Sequence, residues 1–454
     1  MPQTYRTSMA RSTPILRVVL VGSVLALAGC ATLNSAADKV GGLFTSSAPA
    51  IGSEGAVQGF LGNAVADEPQ AALTARTVLS AGGNAIDAAV AASLVLTVTL
   101  PSRAGLGGGG ACLVFPAGND SGPQAILFPA GAPRLASGDR PAAVPMMARG
   151  LFAMHARYGT TPFEGLITPA EQLARFGMVV SRAFARDLAV VGRALAADPA
   201  AAAIFFRGGT MASEGTSVIQ PDLGSTLAQL RVAGSGDFYQ GALARRMALN
   251  APLVGASLTL EDLKTALPRI VPPLLVPSRF GSDQVAFLPA PADGGRAAAA
   301  FQSLARDPAA APAIEPDALP ASTSLVTMDN AGNAVACAFS MNNLFGIGRF
   351  LPETGVLLAA SPGRAAPQLS AAIAFNPSLK SFRAAVASSG QNGAAVATAS
   401  AMAQTLATGQ PMAQPVPEPG RANVIACAGY LPGREGTCAA ATDPRGAGLV
   451  AGSN

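Results

Sequence analysis

The chain reads as an α+β protein, helix-rich in its first half and strand-rich in its second. Three observations predict this. Apolar residues recur at three- and four-residue spacing through 68–98, 144–197 and 223–250. Short β-type runs crowd the region after 324. Strand-helix-strand alternation is rare, which favours α+β layers over a doubly wound sheet. Composition permits a large core: of 454 residues half are hydrophobic and 12% are charged, about half the usual charged share near 25%. Disorder of the whole chain is excluded by that balance.

Taken in order, the first segment is a targeting signal. Arg6, Arg11 and Arg17 precede an apolar run from Val18 to Ala28, too short for a membrane span of roughly 20 residues. The run ends in Leu27-Ala28-Gly29-Cys30, which resembles the lipobox of bacterial lipoproteins. The resemblance implies a signal peptide over 1–29, lipidation of Cys30 and a protein hung from a membrane facing an oxidising compartment. Ala31 rather than Asp after the cysteine points to the outer membrane, facing the periplasm. Residues 30–60 are small and polar and read as a flexible tether.

The break at Ala81-Gly82-Gly83-Asn84 divides the first helical stretch in two. Gly107–Gly110 leads into the buried-strand run Ala111-Cys112-Leu113-Val114-Phe115, and Ala125-Ile126-Leu127-Phe128 reads as its neighbour. Breaks at 158–162 and Gly177 divide the helical region 144–197, and a proline-rich loop is expected over 288–320. Ser324–Asp329 and Ala334–Ser340 read as strands joined by the turn Asn330-Ala331-Gly332-Asn333. Further strands are expected at Gly355–Leu358 and Ser381–Ser388, a helix at 394–406 and a loop at 410–422.

Several functions are excluded. A net charge of +4 over this length, without a basic cluster interleaved with aromatics, speaks against nucleic acid. One histidine, His155, leaves no histidine-based metal site and is read as a surface or satisfied helix residue. The glycine run lacks the Lys-Ser/Thr of a phosphate loop and precedes a strand rather than a helix, so its glycines serve close backbone approach. No cofactor is implied. Cys112 and Cys337 sit in apolar runs and read as buried small hydrophobes; Cys427 and Cys438, eleven residues apart in a Gly/Pro-rich tail, are a candidate disulfide.

Without a usable histidine, a hydroxyl nucleophile needs another base. An N-terminal nucleophile supplies one through its own α-amine, exposed by cleavage just before a Ser, Thr or Cys that opens a strand. Ala321-Ser322-Thr323-Ser324 before an apolar run has that form.

Several blocks together resemble the γ-glutamyltranspeptidase family of N-terminal-nucleophile hydrolases: Gly82-Gly83-Asn84-Ala85-Ile86-Asp87, Gly105-Leu106-Gly107-Gly108-Gly109-Gly110, Gln220-Pro221-Asp222, Phe238-Tyr239-Gln240-Gly241, Pro291-Ala292-Asp293-Gly294-Gly295, Asp329 through Val335, Asn342 with Phe345-Gly346, and Asp443-Pro444-Arg445. They run in family order over most of 60–450. The resemblance implies a four-layer αββα sandwich, self-cleavage between Ala321 and Ser322, a large-subunit-like segment 61–321 and a shortened small-subunit-like segment 322–454, intertwined as one domain and held as a heterodimer of the chain's own fragments. Ser322 would be the nucleophile. Ser340 aligns with a hydroxyl that bonds it, the N–H groups of Gly390 and Gln391 with the oxyanion hole, and Asn342 with a residue that holds the donor's α-amino end.

The departures concern recognition. The family arginine that forks onto the donor's α-carboxylate aligns with Pro129, and Arg103 and Arg134 lie near without matching it. The carboxylate-binding serine pair aligns near Pro367-Gln368, and the amine-gripping stretch reads Ala359-Ala360-Ser361-Pro362-Gly363-Arg364. Each lost charge-assisted bond removes about 1.5–3 kcal/mol. Three readings therefore stand: an amidase or acyltransferase acting on a small-molecule or peptide amide other than a free γ-glutamyl donor, a non-catalytic lipoprotein that keeps the fold, and γ-glutamyl transfer itself.

Overall fold

Two antiparallel sheets stacked face to face carry helices on their outer surfaces. The computed structural model describes residues 61–118, 121–136, 140–307, 314, 321–363 and 368–452. The strands of these two sheets, in chain order, are β1 (Gly62–Ala66), β2 (Gly109–Phe115), β3 (Gln124–Phe128), β4 (Arg269–Val271), β5 (Leu274–Pro277), β6 (Gln284–Phe287), β7 (Ser322–Asp329), β8 (Ala334–Ser340), β9 (Ser370–Asn376), β10 (Ser381–Ser389), β11 (Arg421–Leu431), β12 (Cys438–Thr442) and β13 (Leu449–Gly452). The first sheet has the order β13-β1-β7-β8-β2-β3-β4 and the second β12-β11-β10-β9-β6-β5. The described residues belong to one compact unit.

Strand alternation sorts the core into three apolar layers. Along β7, Val326 and Met328 face the space between the sheets with Leu113 of β2 and Ala385 of β10. Leu325 faces the other way, onto helix α1 (Pro69–Ser80) and helix α2 (Ala85–Thr99). A third cluster joins the outer face of the second sheet to helices α5 (Arg296–Arg306) and α6 (Ala394–Thr408). Helix, sheet, sheet, helix is the expected four-layer αββα arrangement. Helix α2 is buried all round, so it shows no polar face. Its start is fixed by a capping box in which Asn84 accepts from the Ile86 and Asp87 N–H groups while Asp87 accepts from Asn84 N–H. On the outer face of the first sheet lie α3 (Met147–Tyr158) and α4 (Arg182–Leu195), among others.

Four expectations need correction. The proline-rich region 288–320 contains α5, because its prolines flank rather than interrupt the amphipathic run Arg296–Arg306. The Gly/Pro-rich tail is two paired strands, β11 and β12, with Cys427 opposite Cys438 and joined to it. Gly355–Leu358 shrinks to a two-residue ladder, Val356–Leu357 against Phe350–Leu351. Cys112 and Cys337 are buried as expected but are not free: β2 and β8 are neighbours, the two residues face each other in register, and they form a disulfide. The signal segment, Cys30 and the tether lie outside the described residues.

Candidate active site

The nucleophile candidate opens a central strand. Ser322 is the first residue of β7 and sits opposite Ser340, the last residue of β8. By alternation it shares the inter-sheet face with Val326 and Met328, and Ser324 on the same face reaches the Ala387 carbonyl of the second sheet at 3.3 Å. Ser322 and Ala321 are both fully buried. The hairpin that sets this register is held by Asp329, whose carboxylate accepts from Asn333 N–H at 3.0 Å, from Asn333 Nδ2 at 2.8 Å and from Ala85 N–H, at the start of α2, at 2.9 Å. Burial pushes the Asp329 carboxyl above its ordinary range.

Donors converge on both sides of the Ala321–Ser322 peptide bond. The Ser322 Oγ accepts from the N–H groups of Gly390 at 3.0 Å and Gln391 at 3.2 Å. Gly390 has φ 103° and Gln391 φ 48°. In this turn the two successive N–H groups point at one oxygen and form an anion-binding concavity. Helix α6 starts three residues later, adding the positive end of its dipole. On the other side, the Ala321 carbonyl oxygen accepts from Ser340 Oγ at 3.2 Å and Met341 N–H at 3.4 Å. Ser340 Oγ in turn accepts from Asn342 N–H at 2.8 Å, which aims its own proton at Ala321.

A polar anchor that sequence reading missed holds the strand's start. The Asp67 carboxylate, just past β1, accepts from Ser324 N–H at 2.9 Å, from Thr323 Oγ1 at 3.2 Å and from Asn423 Nδ2 at 2.8 Å. It borders a cavity of about 280 Å³ that also touches Ser389, Gly390, Arg103, Asp187, Arg421 and Arg445. In it, Arg103 forks onto Asp187, Nε to Oδ2 and Nη2 to Oδ1, each at 2.7 Å. Burial alone would lower the Arg103 pKa, but the Asp187 charge and bonds raise it. A second cavity, about 430 Å³, opens over Asn343, Ala360, Ser361, Phe345 and Arg140.

Four predicted residues thus come together around one bond: Ser322, Ser340, Gly390 and Gln391. Ser340 bonds the Ala321 carbonyl rather than Ser322 Oγ. Asn342 lies adjacent, but its side-chain nitrogen bonds the Ala130 carbonyl at 3.2 Å and the Ala360 carbonyl at 2.8 Å. It ties the segment at Ala130 to the segment at Ala360. Arg103 is committed to Asp187, and Arg134 is exposed beside Glu261. Arg364 and Pro367 lie outside the described residues. Among the described residues, no group of three His, Cys, Asp or Glu side chains is placed to hold a metal ion.

The comparisons bear on the family and the fold. A sequence profile of the gamma-glutamyltranspeptidase family matches residues 71–311, more than half of the chain. The glutathione hydrolase proenzyme of Escherichia coli (strain K12) is 31% identical over 237 residues, 48% of this chain and 40% of that one. Glutathione hydrolase 6 of Homo sapiens is 30% identical over 296 residues, 63% of this chain and 55% of its own. The chain therefore spans about half, or less, of the length of these relatives. Among solved structures, cephalosporin acylase from Bacillus halodurans superposes with a TM-score of 0.70 at 20% identity, covering 90% of this chain and 98% of that one, a likeness of fold. With the matching profile and the sandwich that carries Ser322 at its centre, the chain belongs to the γ-glutamyltranspeptidase family.

Proposed function

We propose that this protein is an N-terminal-nucleophile amidase or acyltransferase of the bacterial cell envelope that cuts its own Ala321–Ser322 bond and then uses Ser322. One observation carries the reading: a single buried peptide bond has a hydroxyl on its C-terminal side and a pair of donors on the carbonyl oxygen of its N-terminal side. In maturation, Ser322 Oγ attacks the Ala321 carbonyl carbon. Negative charge grows on the Ala321 oxygen, where Ser340 Oγ–H and Met341 N–H already point. The C–N bond breaks, the hydroxyl proton ends on the Ser322 nitrogen, and an ester joins Ala321 to Ser322 Oγ. Water then hydrolyses the ester to the Ala321 carboxylate and a free Ser322.

In turnover the new α-amine takes the proton from Ser322 Oγ as it attacks a donor amide. The acyl oxygen lies beside the Gly390 and Gln391 N–H groups. Loss of the leaving amine gives an acyl-Ser322, which passes to water or to an acceptor amine. The donor is an amide other than a free γ-glutamyl group, because Pro129 cannot fork onto a carboxylate and the two arginines near it in sequence, Arg103 and Arg134, are committed or exposed. The envelope location rests on the lipobox-like run ending at Cys30.

The test is a denaturing gel run with reductant, with N-terminal sequencing of the smaller band. The wild type is expected to give two bands, the smaller beginning Ser322-Thr323-Ser324. Ser322→Ala is expected to give one. An uncut wild type would leave the non-catalytic lipoprotein reading in its place. A cut protein that releases p-nitroaniline rapidly from γ-glutamyl-p-nitroanilide would overturn the statement about the donor.

A further inference from the structure

Self-cleavage would place the two cysteines of the central sheet on different polypeptides. Cys112 lies in β2 and Cys337 in β8, separated by 225 residues, and the Ala321–Ser322 bond falls between them. We infer that the Cys112–Cys337 disulfide is a covalent tie between the two fragments of the mature protein, so that scission yields one cross-linked molecule rather than two chains held by packing alone. This rests on the cleavage reading above.

The placement supports the tie independently of that chemistry. The pair is set by register: Leu113 faces Ala336, Cys112 faces Cys337 and Ala111 faces Ala338 across adjacent antiparallel strands. Side chains directly opposite in such a pair are within bonding reach. Both sulfurs face the helical side of the first sheet, packed with α2, and both cysteines are fully buried. Reductants in bulk solvent reach such a site only when the sheet opens. Formation removes two protons and two electrons from the thiols, delivered by exchange to a disulfide-bearing oxidant of the kind an oxidising compartment supplies. The oxidant leaves as a dithiol.

The second disulfide provides an internal control. Cys427 and Cys438 both belong to the segment after Ser322, eleven residues apart, and cannot join the fragments. The fragments interleave without any tie: β1, β2, β3 and β4 come from the first, and β7, β8 and β13 from the second, all in one sheet. The disulfide therefore governs whether the pieces stay together once the sheet is unfolded. It turns their reassociation into an intramolecular event.

The experiment is a gel of the full-length protein, alkylated with N-ethylmaleimide before denaturation and run with and without dithiothreitol. The wild type is expected to run as one band near full mass without dithiothreitol and as two with it. Cys337→Ser is expected to give two bands in both lanes, and Cys427→Ser to behave as the wild type. Should Cys337→Ser fail to accumulate, a non-reducing peptide map of the wild type serves instead: a Cys112 peptide joined to a Cys337 peptide, lost on reduction, is expected. Two wild-type bands without dithiothreitol, or no linked peptide, overturn the tie while leaving cleavage intact. One band in both lanes overturns cleavage, and the tie with it.

Discussion

The two sides of the Ala321–Ser322 bond are held by different kinds of group. On the carbonyl side, a side-chain hydroxyl, Ser340 Oγ, shares the oxygen with one backbone N–H. On the hydroxyl side, both donors are backbone N–H groups, from Gly390 and Gln391. A hydroxyl can be deleted by substitution, whereas a backbone donor can only be moved by distorting the chain. The first side is thus sensitive to chemistry at one position and the second to conformation. In the proposed mechanism the first serves only the maturation step, and the second goes on to serve turnover.

The largest effect is expected at Gly390. A Cβ there would lie 2.3 Å from the Pro419 carbonyl oxygen, and φ is 103°. Gly390→Ala must displace the turn, at about 1–3 kcal/mol of strain, and takes an N–H off Ser322 Oγ. No cut product is expected on a reducing gel over a day, with a lowered melting temperature. Normal cutting would show that the turn has room to relax and that conformation does not control this side. Next is Ser340→Ala, which leaves the backbone alone and removes one donor from the Ala321 oxygen. Cutting is expected to slow roughly 10²–10³-fold, the usual range for one oxyanion donor, with most of the rate restored by Ser340→Thr. A time course of band intensities measures both. Equal rates for Ser340→Ala and the wild type would remove the carbonyl-side site from the mechanism.

A smaller effect separates the two sides by pH. Behind Gly390, Arg445 links Asp443, Glu418 and the Gly420 carbonyl, next to the Pro419 that packs on Gly390. Burial alone would raise the Asp443 carboxyl, but bonds to Arg445 and its charge hold it below the ordinary carboxylate range. Because the folded value is depressed, this contribution is fully present above the unfolded carboxylate range. It is lost as pH falls through the folded value. The expected result is a melting temperature that falls with acid more steeply in the wild type than in Asp443→Asn, the two curves converging at the acid end. Parallel curves would mean that Asp443 carries no linked proton.

How much of this was legible in the sequence depended on how far apart the partners lie. The β7–β8 hairpin was readable because its turn, Asn330-Ala331-Gly332-Asn333, is local and both flanking runs are β-type. From it, together with the family resemblance, the position of Ser322 followed. Asp67 was not readable, because its bond to Ser324 spans 257 residues and a lone Asp past a strand carries no local signal. The Cys112–Cys337 pair was missed for the same reason: each run looked apolar and buried, and only the register of β2 on β8 makes them partners. Strand β9 was hidden because Ser370–Asn376 is buried on both faces, so the period of two disappears. Asn342 follows Ser340 by two residues, but its choice of the Ala130 and Ala360 carbonyls is a matter of loop packing that no residue spacing encodes.

The smallest expected effect is the sharpest test of a purely backbone site. Gln391 holds φ 48°, a left-handed conformation that costs a non-glycine residue about 1–2 kcal/mol. Its contribution to the site is its N–H, 3.2 Å from Ser322 Oγ. Gln391→Gly keeps that donor and removes the conformational cost, while the freer unfolded chain returns about 0.5–1 kcal/mol of destabilisation. Net stability is expected to change by about 1 kcal/mol or less, in the stabilising direction, and cutting to remain within about threefold of the wild type. Gly390 already lacks a side chain, and Pro419 leaves no space for one there. A tenfold loss of cutting in Gln391→Gly would mean that the glutamine side chain, and not only its backbone, acts on the bond, and the contrast between a side-chain-built and a backbone-built side of the site would fail.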